Sequence, residues 1–395
     1  METRKKGCAA VGCGLETLEG RRLLSGNGHE SDFVTQTNLV SDGATPAALV
    51  DPNLVNPWGI SNLPGSPFWV ADNGKGLATL YDGLGAKNPR EVSIPGVGGN
   101  DAAPTGQVSN PGTGFVVTDG VKSAPALFIF AGEDGGITGW SPTIDPNHAV
   151  VAKDHSFDGA IFKGLAKGDA NGQSYLYATD FHNNRVDVFD SSFTEQHWAG
   201  AFSDRRIPKG FAPFGIQNLN GKIYVTYAKQ DADAEDDVAG PGNGFVDVFD
   251  AKGHLLDRLQ HGKYFSSPWG LTVAPSDWGQ FAGDVLVGQF GSGQIAAFSS
   301  HGRFDGLLRN KDGSPVFIDG LWALTFGNGA KNADPEKLYF TAGTNDEADG
   351  LFGNLALTQR DRHNHDDHDD DHDHGDGRHH DDDHDDHDDD DNVWD

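Results

Sequence analysis

Between residues 31 and 358 the chain alternates apolar and polar positions in short runs. PFWVAD, KIYVTYA, GFVDVFD and NRVDVFD are examples, each bounded by Gly, Asn or Asp. Period-two alternation with such punctuation predicts half-buried strands joined by tight turns, and hardly any helix. One phrase recurs at the start of each run set: NPWGI at 56–60, APFGI at 212–216 and SPWGL at 267–271. With Gly59 as anchor, Gly114, Gly164, Gly215, Gly270 and Ala323 follow at intervals of about 50 residues, the period of propeller blades.

The prediction is an all-β, six-bladed β-propeller with four-stranded blades over about residues 33–358. The last repeat, beginning GLWALTF, runs out after three strands, whereas FVTQTNLVSD at 33–42 is a strand without a blade. The N-terminal strand is therefore expected to close the last blade, which covers an otherwise open sheet edge.

The flanks differ in kind. Residues 1–30 form a leader in which LETLEGRRLLSG (15–26) resembles the Leu-Glu-x-Arg-x-Leu-Leu segment of exported and surface proteins of certain bacteria, with Gly20 where proline is usual. That resemblance implies export and an extracellular or cell-surface location. Residues 359–395 are low complexity: nine histidines and seventeen aspartates lie between Asp361 and Asp391. Such a run cannot bury apolar surface and is expected to be disordered.

Charge narrows the functions. With 29 basic against 59 acidic residues the net charge is −30, which repels nucleic acid and anionic lipid. No run is long and apolar enough to span a membrane. The two cysteines, Cys8 and Cys13, lie in the leader, so the folded part has neither a disulfide framework nor a thiol nucleophile. A monomer is expected.

In an up-and-down blade the entries of the innermost strands and the turns between second and third strands share one face. That face should gather Asn56, Trp58, Phe214, Trp269 and Trp322 with Asp72, Asn73, Glu133, Asp134, Asp180, His182, Asn183, Gln289 and Asn345. An aromatic, carboxylate-lined pocket would suit a small molecule such as a sugar, a cation, a glycan or a protein segment. The same residues also have a structural reading: tryptophans packed between blades, and Asp and Asn capping turn amides.

Two segments carry metal-ligand chemistry. In the long turn QDADAEDDVAGPGN, Asp231, Asp233, Glu235 and Asp237 alternate as oxygen ligands for calcium could, although Gly242 stands where an EF-hand needs its bidentate acid. The alternative is a solvated acidic loop. In the tail, His363, His365, His368, His372, His374, His379, His380, His384 and His387 offer imidazoles suited to zinc, nickel or copper. The histidines of the middle segment, His148, His155, His182 and His197, have no ligand spacing and read as surface or satisfied residues.

The stretches LVNPWGIS, FWVADNG, TYAKQDADAEDDVAGPGNGFVDVFD and SPWGL resemble an uncharacterised family of exported bacterial six-bladed propellers related to the NHL-repeat group, over nearly all of 33–358. The resemblance implies the fold and no activity. Its more distant relatives include lactonases and lyases, so two functions stand open: a binding scaffold with a metal-binding tail, or a calcium-dependent hydrolase or lyase. Whether the protein is an enzyme is left open by the residues.

Overall fold

The computed structural model describes residues 32–358, all within one compact unit. They form the six-bladed β-propeller that the repeats predict. Blade 1 is built from Pro57–Ser61, Phe68–Asp72, Leu77–Tyr81 and Val92–Ser93, and blade 2 from Pro104–Ser109, Phe128–Gly132, Gly136–Trp140 and Val150–Asp154. Blade 3 has three strands, Phe162–Ala170, Gln173–Asp180 and Arg185–Asp190. Blade 4 comprises Phe211–Leu219, Lys222–Lys229, Gly244–Phe249 and Leu255–Arg258; blade 5 comprises Pro268–Val273, Val285–Gln289, Ile295–Phe298 and Phe304–Leu307. In blade 6, Leu321–Phe326, Lys337–Ala342 and Leu351–Thr358 are followed by the N-terminal strand Phe33–Ser41, which pairs antiparallel with Leu351–Thr358. The predicted closure is thus present, and Leu49–Val50 adds a short parallel edge to it.

Each innermost strand touches the next, and the strand of blade 6 returns to that of blade 1. The approach is close enough to need glycine. A Cβ on Gly59 would lie 2.5 Å from the Thr105 carbonyl oxygen, on Gly215 2.3 Å from that of Trp269, and on Gly270 2.3 Å from that of Trp322. In blade 2 this place belongs to Gly106, whose Cβ would meet Leu165 N at 2.2 Å. The repeat therefore runs through Gly106 and not Gly114, which lies ahead of a small hairpin, Val116–Thr118 with Ser123–Pro125, inserted in blade 2. The insertion displaced the sequence spacing.

The pairing register slips at the repeat glycine in five inner strands and at Ala323 in the sixth, leaving bulged carbonyls. Neighbouring blades satisfy several of them. Thr179 Oγ1 donates to Phe214 O at 2.6 Å, Thr105 Oγ1 to Phe162 O at 2.7 Å and Gln107 Nε2 to Gly59 O at 2.8 Å. Buried hydroxyls and amides thus join blade to blade where an unpaired carbonyl would be costly.

Candidate functional site

Directly before the repeat glycines, and before Ala323 in blade 6, stand Trp58, Thr105, Lys163, Phe214, Trp269 and Trp322, all of them buried. The aromatic members pack on one another: Trp58 stacks on Trp322 at 3.5 Å between ring centroids, and Trp269 meets both edge-on at 5.9 and 5.6 Å. Trp58, Phe214 and Trp322 are 1% exposed and Trp269 8%. Packed on one another, they plug the channel. Below the plug is a small cavity of about 40 Å³ between the inner strands.

The turns after the second strands lie over this plug. Their first residues are Asn73, Glu133, Phe181, Gln230, Phe290 and Gly343. Phe290 stacks on Trp322 at 4.0 Å, Phe181 meets Phe214 at 5.3 Å, and Gln230 Nε2 donates to Phe181 O at 2.7 Å.

Lys163 replaces an aromatic in the ring, and a polar cluster is built on it. Its side chain is 3% exposed, and its ammonium pairs with Glu133 Oε1 and, at 3.1 Å, with Asp236 Oδ1. The ammonium also stands 5.5 Å from the Trp58 ring centroid. Burial works against the charged form, but the Glu133 and Asp236 carboxylates outweigh it and hold the ammonium above its usual pKa. Asn73 Nδ2 donates to Glu133 Oε2 at 2.9 Å. Asn56 Nδ2 donates to Glu347 Oε2 at 2.6 Å, and Asn56 Oδ1 accepts from Trp322 Nε1 at 3.0 Å. Loops of blades 1, 2, 4 and 6 thereby meet over one point.

Backbone strain accompanies the cluster. Asn345, Asp346 and Glu347 lie consecutively in the left-handed region, with φ of 57°, 51° and 65°. For non-glycine residues this costs about 1–2 kcal/mol each. The turn carries the Glu347 carboxylate to Asn56, itself at φ 46° ahead of a proline. Burial raises the Glu347 pKa to about 7, with Glu133 and Asp236 adding to the rise while Asn56 and Lys163 oppose it.

A pH prediction follows with a definite sign. The folded chain holds the Glu347 proton more tightly than the unfolded chain, whose carboxyl has the ordinary value of 4.5. Its contribution is full below the ordinary value and is lost as pH rises through about 7. Glu347→Gln is expected to be more stable than the parent at pH 8, by about 1–2 kcal/mol after allowance for partial exposure, and equal to it near pH 4. Urea midpoints of the two proteins at both pH values test this; a difference that does not change with pH contradicts it.

Of the residues expected at this face, the structure brings Asn56, Trp58, Asn73, Glu133, Phe214, Trp269 and Trp322 together. Others serve their own blades. Asp72 is wholly buried beside Thr79 and Tyr81, where desolvation pushes its carboxyl well above the usual range, so it does not reach the mouth. Asp134 accepts from Val97 N at 2.8 Å and Gly136 N at 3.1 Å, and Gln289 Oε1 accepts from Ser266 N at 3.0 Å. Asp180 is fully buried, accepts from Asn183 Nδ2 at 2.8 Å and meets Arg185 at 3.1 Å. Asn345 Nδ2 is held by Asp349 at 3.0 Å. His182 and His155, expected to be surface or satisfied, each have a buried Nδ1 without a hydrogen bond among the described residues, that of His155 standing 3.9 Å from Asp158 Oδ2.

In the long acidic turn, Asp231 Oδ1 accepts from Glu235 N at 3.0 Å, and Asp237 is half-buried near Ser267 with its carboxyl raised by burial. Asp236, one of the acids that the alternate spacing of Asp231, Asp233, Glu235 and Asp237 passes over, is the one that reaches Lys163. Among the described residues no three His, Cys, Asp or Glu side chains gather as a metal site. The nine tail histidines lie outside the described residues.

Sequence reasoning missed Lys163, Asp236, Glu347, Phe181 and Phe290. For Lys163 the signal was present, since it stands directly before a repeat glycine in KGLAK. Glu347 had none, because the left-handed turn that delivers it contains no glycine.

No protein-family model matches the chain. Uncharacterized protein R648 of Acanthamoeba polyphaga mimivirus is 32% identical over 329 residues, spanning 81% of this chain and 80% of that one. Uncharacterized protein L690 of the same virus is 31% identical over 330 residues, spanning 81% and 85%. Among solved structures, a protein of unknown function from Bacteroides thetaiotaomicron superposes with a TM-score of 0.51 at 11% identity, covering 83% of this chain and 76% of that one. The alpha-L-arabinanase of Penicillium chrysogenum, solved with arabinobiose, gives 0.51 at 12% identity, covering 82% and 98%. At such identities the likeness is one of fold. The sequence likeness, carried across four-fifths of both partners, is one of descent: the chain belongs to the same family as the mimivirus proteins R648 and L690.

Proposed function

We propose that this propeller is a binding protein whose working face is the channel mouth around Lys163, and that its ligand is a small hydroxyl-rich or ammonium-bearing molecule. One observation carries the reading. At a ring position where four other blades place an aromatic, blade 3 buries a lysine, and three loops supply Glu133, Asp236 and Glu347 around it. A structural plug would be better served by a further aromatic, because a buried charge is costly unless paired. Above the closed plug the accessible groups are carboxylates and amides, acceptors for hydroxyl or ammonium donors. As part of the same proposal, residues 1–30 serve export, and the His/Asp-rich tail retains zinc, nickel or copper at the cell surface.

A panel of neutral sugars, amino sugars and quaternary amines, screened against the full chain by ligand-observed NMR, is expected to yield a binder. Asp236→Asn should weaken it tenfold or more, and since that side chain is 76% exposed the fold should be undisturbed. Binders indifferent to Asp236→Asn would put recognition elsewhere.

The enzymatic reading draws support from Glu347. A carboxyl with a pKa of about 7 beside a second carboxylate suits proton transfer at neutral pH. The calcium-dependent form of that reading has less support, because the Lys163 ammonium occupies the point at which the carboxylates converge. Turnover with a single ionisation near pH 7, abolished in Glu347→Gln, would favour catalysis over binding.

A further inference from the structure

Blade 3 begins a fourth strand and abandons it. Asp190 N donates to Thr194 O at 2.9 Å and Gln196 N donates to Val188 O at 2.8 Å, after which the chain leaves the edge. In the other five blades the third strand is covered by a fourth. The Val188 carbonyl faces away from Gln173–Asp180. Main-chain groups alternate along a strand, so those of Val186 face the same way. No partner for the outward Val186 N–H and C=O or the Val188 N–H is found among the described residues.

This bare edge opens on a cavity of about 810 Å³ between blades 3 and 4. Val188, Trp198, Phe211 and Pro213 give it apolar walls. Two polar side chains in its lining are more than nine-tenths buried and lack a hydrogen-bond partner among the described residues: Tyr227, 3% exposed, at Oη, and His155, 6% exposed, at Nδ1, which stands 3.9 Å from Asp158 Oδ2. A buried polar atom left unpaired is costly and calls for an explanation. The walls carry Asp158, Asp187, Glu195 and Asp204 against Arg185 and Lys209. Asp204 is already paired with Arg206 at 2.7 Å and Arg258 at 2.8 Å, whereas Asp187, Asp158 and Asp180 share the single guanidinium of Arg185 at 2.6, 2.9 and 3.1 Å, so the acidic excess of the cleft lies around Arg185.

We propose that an extended peptide, with basic and apolar residues in alternation, docks in this cleft as the missing outer strand of blade 3. The open backbone groups of Val186 and Val188 supply the ladder. Alternate side chains enter between Phe211, Pro213 and Tyr227, where the Tyr227 hydroxyl and the His155 ring find partners. Basic residues at the other positions meet the wall carboxylates. The site is separate from the channel mouth.

The test is selection of a random heptapeptide display library on the full-length protein, followed by titration of the synthetic winners. Clones rich in Lys or Arg alternating with β-branched or aromatic residues are expected. Val186→Pro, which removes an outward N–H at a sheet edge where proline is tolerated, should weaken them tenfold or more. N-methylation of alternate peptide amides should do the same with the protein unaltered, which keeps the test sound if Val186→Pro fails to fold. Asp236→Asn should have no effect. A library that enriches no clone overturns the proposal. So does an acidic consensus, or clones that bind regardless of both Val186→Pro and N-methylation.

Discussion

Lys163→Met should lower the free energy of unfolding by about 2–4 kcal/mol. Methionine matches the lysine stem in length and suits the aromatic plug, so little of the loss comes from packing. The loss comes from the carboxylates. Without the ammonium, Glu133 keeps only the Asn73 amide at 2.9 Å, in a site where its side chain is 27% exposed. Asp236, 76% exposed, returns to solvent and contributes little. Replacing a whole buried pair by apolar groups is often neutral, whereas removing one partner is not. The double variant Lys163→Met/Glu133→Gln should therefore recover most of the loss. Lys163 also holds the Glu347 carboxyl down, so in Lys163→Met the Glu347 midpoint should move above about 7. Urea unfolding at several pH values reads both effects. A neutral single variant with an unmoved midpoint would mean that the charges do not tie the loops together.

Trp322→Ala should cost about 3–5 kcal/mol. The ring is 1% exposed and sandwiched, with Trp58 at 3.5 Å on one contact and Phe290 at 4.0 Å on another. Its indole N–H satisfies Asn56 Oδ1 at 3.0 Å. Alanine removes the stacking, leaves a cavity on the propeller axis and frees the amide that positions Glu347. Trp322→Phe keeps most of the apolar volume and loses the hydrogen bond, so about 1–2 kcal/mol is expected there. Thermal and denaturant unfolding of the two variants should rank them in that order. Equal losses would assign the stabilisation to the hydrogen bond and not to the packed ring.

Both effects reach the same loops, so stability and recognition are coupled here. The strained turn Asn345–Glu347 has Asn56 as its anchor, and Asn56 has Trp322. Strain of this kind persists only where surrounding contacts over-determine it.

Much of this was legible in the chain. Alternation predicted strands, because a half-buried strand must present apolar residues every second position. The recurring Gly predicted blades, because six inner strands crowd one axis and in five of them a Cβ at this position would clash with its neighbour. The unpaired run 33–42 predicted ring closure, because a lone edge is a liability. The sequence alone therefore determined blade number, closure and the face on which Asn56, Asn73 and Glu133 meet. It misplaced the anchor of blade 2 at Gly114, since an inserted hairpin changes spacing without changing the fold.

Tertiary structure decided the rest. Whether a repeat tryptophan rims a pocket or plugs a channel depends on the width left between six strands, and that width left Trp58 and Trp322 buried. Which acid of the long turn meets Lys163 depends on how the loop folds back, and it is Asp236 and not its alternating neighbours. The bare edge of blade 3 depends on where the chain turns after Gln196, which no local preference announces. Periodicity is a property of neighbours along the chain, so the sequence displays it. Convergence joins residues nearly 300 positions apart, as between Asn56 and Glu347, and only the closed ring brings them within 2.6 Å.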